Sequence, residues 1–192
     1  KREPQMPADG GDAADFLVFT ARHAAESHAQ LFQDLFVRYQ LGEKCEGFFV
    51  DFGATDGISL SNTKCLEERL SWRGILAEPA RCWHESLRRN RSGIIDTRCV
   101  WTATGQALRF SETNMPELST IQSFISKDHH ADLRKNKKVY EVETVSLNDL
   151  LATHAAPEII DYLSVYPEGS ELSILGSFDF SNVFSKLGEN KL

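Results

Sequence analysis

The strongest candidates for a ligand-binding site in this sequence are two acidic residues, Asp51 and Glu78, and two glycines, Gly53 and Gly57. An apolar run, Gly47–Phe52, includes Asp51, and Gly53 and Gly57 follow at a G-x-x-x-G spacing. Because glycine has no Cβ and tolerates positive φ, such a turn lets the backbone lie close to a ligand. A helix that starts after the turn adds unpaired N–H groups. The stretch therefore predicts a nucleotide-like cofactor at the edge of a parallel sheet.

The second acid, Glu78, lies near the end of the short run Trp72–Pro79, which has the pattern of a buried strand. An acid at the end of the second strand of a nucleotide-binding fold can accept hydrogen bonds from both ribose hydroxyls. The alternative is a surface carboxylate ahead of a helix that begins at Pro79. The turn lacks the G-x-G-x-x-G spacing of dinucleotide enzymes, which argues against an NAD-dependent oxidoreductase.

Alternating strand and helix patterns predict an α/β fold. Residues 12–41 have the apolar spacing of a helix or helix pair, with Gly42 at its end. We predict strands at 47–52, 75–77, 94–101, 106–110, 139–145 and 159–165, and helices at 61–70, 81–90, 147–154 and 172–175. This order predicts a mostly parallel sheet with right-handed crossovers and flanking helices.

The predicted organisation is a flexible tail at residues 1–11 and a single domain at 12–192. Within the domain we expect an N-terminal helical segment at 12–44 and a cofactor-binding core at 45–180. A chain of this length fits one domain.

Three ordered blocks of sequence resemble the FkbM family of methyltransferases. The blocks are Phe49–Gly57 with Leu60–Thr63, then Leu76–Pro79, and then Val145–Leu151 with Ile160–Val165 and Glu168–Leu175. The resemblance implies a Rossmann-like fold that binds S-adenosylmethionine. It also implies transfer of a methyl group to a hydroxyl on a small-molecule or sugar-like acceptor.

The resemblance further implies which residues form the site. The residues implied at the cofactor are Asp51, Gly53, Ala54, Asp56, Gly57, Asn62, Glu78, Pro79 and Trp101. Glu168 is the implied general base, and a carboxylate that stabilises the start of a helix is the alternative. Trp101 either stacks on the adenine or belongs to the core. No metal site is expected, because no Cys or His has the spacing of metal ligands.

Two departures from the family pattern bear on activity. The family reads Asp-Thr-Glu-Gly-x-Glu where this chain has Tyr166 and Pro167 ahead of Glu168, so a carboxylate and a hydroxyl are lost. The alternative function is therefore a catalytically impaired or non-catalytic module of the same fold that binds the cofactor or a partner. The family also continues into further elements after Phe180, so the C-terminal part of the fold is expected to be missing. We expect the N-terminal helix or a partner chain, such as a second copy, to cover the open sheet edge, or else marginal stability.

Charge and composition argue against some partners. The net charge is −7, and an acidic chain is a poor binder of nucleic acid because phosphate contacts supply most of that affinity. The basic runs Arg88–Arg91 and Arg134–Lys138 are interpreted as a solvated helix face and a loop. No apolar run is long enough to span a bilayer, so no membrane partner is expected. Four isolated cysteines, interpreted as reduced core residues, favour a cytoplasmic location.

A long polar stretch, Ser111–Lys138, separates two predicted strands. Loops of this length in a compact domain are usually functional, so we interpret it as a lid on the substrate side. Its neighbouring histidines, His129 and His130, are interpreted as exposed loop residues rather than general bases, because adjacent side chains point apart.

Overall fold

The computed structural model describes residues 11–112, 120–121, 138–166 and 170–180. Its helices are α1 (Gly11–His23), α2 (Gln33–Gln40), α3 (Lys64–Leu70), α4 (His84–Asn90), α5 (Leu147–Thr153) and α6 (Glu171–Ser177). Its strands are β1 (Phe48–Phe52), β2 (Arg73–Ala77), β3 (Ile94–Asp96), β4 (Cys99–Trp101), β5 (Ala107–Glu112), β6 (Thr120–Ile121), β7 (Lys138–Ser146) and β8 (Tyr162–Val165). Short 3₁₀ turns follow α1 at Ala24–Glu26 and precede α4 at Arg81–Trp83.

The main sheet is fully parallel and has the strand order β3-β2-β1-β8. Helix α3 connects β1 to β2, and α4 connects β2 to β3. This order around β1, with crossover helices between neighbouring strands, is that of a Rossmann-like fold, so the predicted fold class is confirmed. Strand β1 is the centre of the sheet, and four of its five residues are buried, as expected for a parallel strand covered on both faces.

The two faces of the main sheet carry separate apolar clusters. Val50, Phe52 and Ile75 pack on one face with α5 and α6 residues such as Leu150 and Ile174. The other face packs against the following buried residues of α2, α3, α4 and the chain between them: Val37, Leu66, Leu70, Trp72 and Leu87. The alternation along β1 and β2 therefore places the sheet between two helical layers.

A second sheet, with the order β4-β7-β5-β6, lies beside the first. The prediction of one strand at 94–101 is wrong, because β3 pairs with β2 in the main sheet whereas β4 pairs with β7 in the second. The chain turns at Asp96, whose carboxylate accepts a hydrogen bond from the Arg98 N–H at 2.9 Å. Such a local bond to the backbone gives the chain an alternative to the strand ladder.

Helix α2 packs on a face of the main sheet. Val37 of α2 enters the cluster that covers Leu66 and Leu70. Helix α2 ends as predicted at Gly42, which has φ +59°. The Gly42 N–H donates to the Tyr39 carbonyl, and the Glu43 N–H donates to the Arg38 carbonyl at 2.8 Å. This pair of bonds is the Schellman arrangement that satisfies the last carbonyls of a helix.

The edge of the main sheet at β8 is paired on one side only. Strand β8 pairs with β1, and no other strand in the described residues pairs with it. Tyr162 of β8 packs against the cluster that contains Val37 of α2, and coverage of this edge by the N-terminal helix stays a prediction. Coverage by a partner chain stays a prediction. None of the described helices is long and apolar enough to cross a membrane.

Gly74 lies where two strands of the main sheet come closest. A Cβ at this position would lie 2.3 Å from the Phe49 carbonyl oxygen and 2.4 Å from the Phe49 ring. We expect Gly74→Ala to destabilise the fold by about 1–3 kcal/mol, because a buried strand cannot move aside without disturbing the sheet. The measurement is the free energy of unfolding in a denaturant titration.

Gly176→Ala in α6 is the matched control for this substitution. No atom of the described residues lies within 4 Å of its Cβ position, and alanine is favoured over glycine inside a helix by about 0.5–1 kcal/mol. The control should be neutral or stabilising. Equal stability of the two variants would contradict the packing described here.

Candidate functional site

The carboxyl ends of β1, β2 and β8 meet at one edge of the main sheet. The ladder continues one residue beyond the strands, since the Gly53 N–H donates to Ala77 and the Tyr166 N–H donates to Phe52, each at 3.0 Å. This brings Gly53, Glu78 and Tyr166 to the same edge. A pocket opens there, which is the position where open α/β sheets bind ligands.

The pocket is lined by residues from the main sheet, the second sheet and the segment at the start of α2. The main sheet and the loops after its strands supply Asp51, Phe52, Gly53, Ala54, Thr55, Ser59, Leu60, Ser61, Asn62, Ala77, Glu78, Pro79, Ser164, Tyr166 and Ser170. The second sheet adds Cys99, Val100 and Phe110, and the segment before and at the start of α2 adds Gln30 and Gln33. The predicted meeting of the glycine turn and the distant acid is therefore present.

Glu78 is buried at the end of β2, with 4% of its surface exposed. One carboxylate oxygen accepts the Thr55 N–H at 2.8 Å and the other accepts the Ala80 N–H at 2.8 Å. Burial raises the pKa of Glu78 to about 7, against the lowering effect of these two N–H groups, and the charges of Asp51 and Glu112 add to the rise. The carboxyl group is therefore close to half ionised at neutral pH.

The raised pKa of Glu78 has a cost in stability. The folded protein holds the proton more tightly than the unfolded chain, in which the pKa is 4.5. Stability is therefore unaffected below pH 4.5 and is lost as the pH rises to about 7, by about 3 kcal/mol in total. A carboxylate kept at this cost, with its oxygens turned to backbone donors beside a pocket, indicates a functional role.

Asp51 is the second buried carboxylate of the pocket. It lies inside β1, and the Thr63 hydroxyl donates to its Oδ2 at 2.7 Å. Burial raises the pKa of Asp51, while the bond from Thr63 and the charge of Arg91 oppose the rise. The sequence assigned Asp51 to the site but did not identify the groups that stabilise its charge.

Arg91 connects the loop of the pocket to α3. Its guanidinium donates to the Thr63 hydroxyl at 3.0 Å, to the Gly57 carbonyl at 3.3 Å, and to Glu67 at 2.7 Å. Burial, which would raise the pKa of Glu67, is outweighed by the Arg91 charge and by bonds from Ser92, so that pKa is lowered. The prediction that Arg88–Arg91 form a solvated face is wrong for Arg91, which follows the end of α4 and is buried.

Asn62 lines the pocket and has a buried polar atom without a partner among the described residues. Its Nδ2 donates to the Ser164 hydroxyl at 3.2 Å, whereas its Oδ1 is buried and accepts no hydrogen bond. A buried acceptor that lacks a donor costs about 1–3 kcal/mol. An unpaired oxygen that lines a pocket therefore indicates a place where a ligand supplies the donor.

The two glycines of the turn have different neighbours. A Cβ at Gly53, which has φ +90°, would lie 2.5 Å from the Tyr166 carbonyl oxygen. A Cβ at Gly57, which has φ +81°, would lie 2.6 Å from the Arg91 side chain. Gly53 therefore lets β1 and β8 end side by side at the pocket, and Gly57 makes room for the buried arginine.

The structure brings together six of the nine residues predicted at the cofactor. Asp51, Gly53, Ala54, Asn62, Glu78 and Pro79 line the pocket, and Asp56, Gly57 and Trp101 lie outside its lining. Asp56 accepts the N–H groups of Ile58 and Ser59 and so shapes the loop. Trp101 packs against two apolar clusters at β4. Roles at the cofactor for these three stay predictions.

The predicted base and the predicted lid cannot be placed. Glu168 and Pro167 lie outside the described residues, as do His129, His130 and most of the stretch between β5 and β7. Tyr166 and Ser170, on either side of Glu168 in the chain, both line the pocket. The sequence also missed Gln30 and Gln33, because no pattern connects the N-terminal segment to the strand ends.

The cysteine interpretation is half right. Cys65 and Cys99 are buried, and burial raises the pKa of the Cys99 thiol to about 12, so it forms an apolar part of the pocket wall. Cys45 and Cys82 are exposed, which corrects their assignment to the core. Among the residues described, no group of three or more His, Cys, Asp or Glu is arranged to hold a metal ion.

A Rossmann-like sheet with a glycine turn and two buried acids at its carboxyl edge is the arrangement at which open α/β folds bind small molecules. The profile of the methyltransferase FkbM domain matches residues 51–186. The chain therefore belongs to the FkbM methyltransferase family, as the sequence blocks predicted. The match supports a methyltransferase and does not favour the non-catalytic alternative. Comparison with curated proteins and with solved structures gave no match.

Arg91 is expected to be essential for the fold around the pocket. Arg91→Met leaves Glu67 and Asp51 without their compensating charge, so we expect a loss of about 3–5 kcal/mol of stability. Arg89→Met, the same change at an exposed position of α4, should stay within about 0.5 kcal/mol of the wild type. Thermal and denaturant unfolding measure both. A similar stability for the two variants would show that Arg91 does not compensate the buried acids.

Proposed function

We propose that the protein is an S-adenosylmethionine-dependent methyltransferase that methylates a hydroxyl of a small-molecule or sugar-like acceptor. Family membership supports methyl transfer. The observation that carries the cofactor assignment is the pair formed by buried Glu78 and the unpaired Oδ1 of Asn62 in one pocket. Both are acceptors, and the cofactor carries ribose hydroxyls and an ammonium group that can donate to them.

The residues of the pocket fit this cofactor. Each oxygen of Glu78 accepts one backbone N–H and keeps a further lone pair for a ribose hydroxyl. Asp51 and the Asn62 oxygen supply acceptors for the ammonium group of the methionine part. Val100 and Phe110 offer apolar surface to the adenine ring of the cofactor. That Trp101 stacks on the adenine stays a prediction.

The bound cofactor would supply an electrophilic methyl group, whose bond to the sulfonium sulfur breaks with its electron pair returning to sulfur. The protein orients the acceptor hydroxyl for in-line attack and excludes water from the reacting atoms. As the new C–O bond forms, the hydroxyl proton leaves to a base, for which Glu168 is the proposed residue. Tyr166 and Ser170, each two residues from Glu168 in the chain, line the pocket, which supports this assignment.

The remaining properties are proposals with less support. A cytoplasmic location stays a prediction from the cysteine content. A homo-oligomer that covers the β8 edge stays a prediction from the unpaired side of that strand in the described residues.

Binding of S-adenosylhomocysteine should depend on Glu78 and on pH. Glu78→Ala should weaken binding roughly 10- to 100-fold, the effect of losing hydrogen bonds to a charged group. Because ribose hydroxyls favour the ionised carboxylate, affinity should rise as the pH increases towards about 7 and then level off. Isothermal titration at pH 6 in buffers of different ionisation enthalpy should detect release of close to one proton from this residue.

Two variants control this measurement. Glu78→Gln removes the titrating group, so the proton release at pH 6 should fall by the amount that Glu78 contributes. Glu85→Gln, an exposed glutamate of α4, should bind like the wild type. Unchanged affinity of Glu78→Ala, with the variant still folded, would remove the cofactor assignment.

Methyl transfer should require Glu168. With a deproteinised small-molecule extract of the source cells as the acceptor mixture, formation of S-adenosylhomocysteine should depend on the extract. Glu168→Gln should lower this rate roughly 10²- to 10⁴-fold, the usual contribution of a general base, without weakening S-adenosylhomocysteine binding. Glu85→Gln serves again as the control. Cofactor binding without any extract-dependent transfer would support the non-catalytic alternative.

A further inference from the structure

The pocket changes in character from its floor to its rim. The carboxylates Asp51 and Glu78 lie at the floor, each with 4% of its surface exposed. The rim is formed by Gln30, Leu60 and Tyr166, and the last two have 57% and 50% of their surface exposed. If the floor residues hold the cofactor, a second substrate reaches it from solvent across this rim.

The charges around the pocket disfavour a charged acceptor of either sign. Asp51 and Glu78 are the charged residues of its lining, and no lysine, arginine or histidine lines it in the part of the chain that the structure describes. An anionic acceptor would lie beside two acids without a compensating cation in this lining. A cationic acceptor would have to approach the positive sulfonium of the proposed cofactor. Both repulsions are strong where water is excluded.

A buried acid orders the segment that carries Gln30. Asp34, fully buried at the start of α2, accepts hydrogen bonds from the Ser27 hydroxyl at 2.6 Å, the His28 N–H at 2.9 Å and the Leu35 N–H at 2.8 Å. Ala29, directly before Gln30, forms a backbone bridge to Leu60. This bridge ties the segment to the pocket loop beside Gln30.

The rim residues match a neutral hydroxyl compound. The Tyr166 hydroxyl donates to the Gln30 Oε1 at 3.4 Å, and a primary amide offers both donors and an acceptor, as a hydroxyl does. Leu60 provides exposed apolar surface beside this polar pair. A carbon skeleton that carries hydroxyls can pack on Leu60 and the Tyr166 ring while its hydroxyls bind the amide.

We propose that the acceptor is an uncharged, hydroxyl-bearing molecule, and that Gln30 is the residue that positions it. This inference rests on the proposed methyl transfer and specifies its substrate class. Tyr166, which replaces the acid of the family pattern, then contributes a neutral wall to the acceptor side rather than a charge.

Fractionation of the small-molecule extract by charge tests the substrate class. The extract is passed over anion- and cation-exchange resins, and each fraction is assayed for formation of S-adenosylhomocysteine by the full chain. Activity should be recovered in the fraction that neither resin retains. Recovery in either retained fraction would overturn the inference while leaving methyl transfer intact. Absence of activity in the unfractionated extract would instead overturn the proposed function, and the inference with it.

Two glutamine variants test the role of Gln30. In dilutions of the active fraction, Gln30→Ala should raise the apparent KM about 3- to 10-fold, the effect of one lost neutral hydrogen bond. Its kcat and its affinity for S-adenosylhomocysteine should change little. Gln40→Ala, at the exposed end of α2, should match the wild type. An unchanged KM for Gln30→Ala, or weakened S-adenosylhomocysteine binding, would contradict a role of Gln30 in positioning the acceptor.

Discussion

The charge of one buried arginine organises the region on which the pocket depends. Arg91 contacts a carbonyl, a hydroxyl and a carboxylate in the stretch between Gly57 and Glu67, and its guanidinium also lies 5.4 Å from the Phe49 ring. A buried charge is tolerated only when it is compensated and hydrogen-bonded. The contacts of Arg91 therefore hold the loop after β1 in the arrangement that brings Asn62 to the pocket and the Thr63 hydroxyl to Asp51.

The loss of hydration on burial is outweighed by charge and hydrogen bonds at Glu67, but not at the two carboxylates on the floor of the pocket. The pKa of Glu67 is lowered, whereas those of Asp51 and Glu78 are raised by burial. The fold thus stabilises the negative charge of Glu67, which supports the loop. It stabilises the charges of Asp51 and Glu78 less well. Donor groups of a ligand would form further hydrogen bonds with these two carboxylates. The free energy of those bonds would then contribute to ligand binding. This difference is a physical reason to place the ligand there rather than at the loop.

The sequence predicts those parts of the structure that depend on local pattern. The apolar run before Gly53 forms β1, and Gly42 ends α2 with the expected positive φ. A serine directly before an apolar helical run is a typical N-cap, and Ser146 caps α5, with its hydroxyl accepting the Asp149 N–H at 3.1 Å. In each case the cause lies within a few residues of the chain. Glycine turns and strand-ending acids could be assigned to one edge because parallel strands bring their carboxyl ends together.

The errors arise where partners are distant in sequence. The run 94–101 has the composition of one strand, and only its pairing partners, β2 and β7, divide it between two sheets. Arg91 follows two exposed arginines, so its composition resembles a solvated face, and its burial depends on the space left by Gly57. The residues around Gln30 show no sequence pattern that would mark a binding site. Its position depends on the hydrogen bonds of Asp34 and on the bridge between Ala29 and Leu60.

The sheet constrains the proposed acceptor side of the pocket less than it constrains the proposed cofactor side. The cofactor side is built from the strand ends of β1 and β2, whose geometry follows from the parallel sheet and leaves little freedom. The rim is built from a segment before α2, a loop residue and Tyr166, which meet only through tertiary contacts. Such residues can be exchanged without disturbing the sheet. Tyr166 stands in place of the acid of the family pattern and contacts the amide of Gln30, so both residues of this pair are neutral. In the proposed function, this exchange changes the acceptor that fits, while the floor of the pocket keeps its carboxylates.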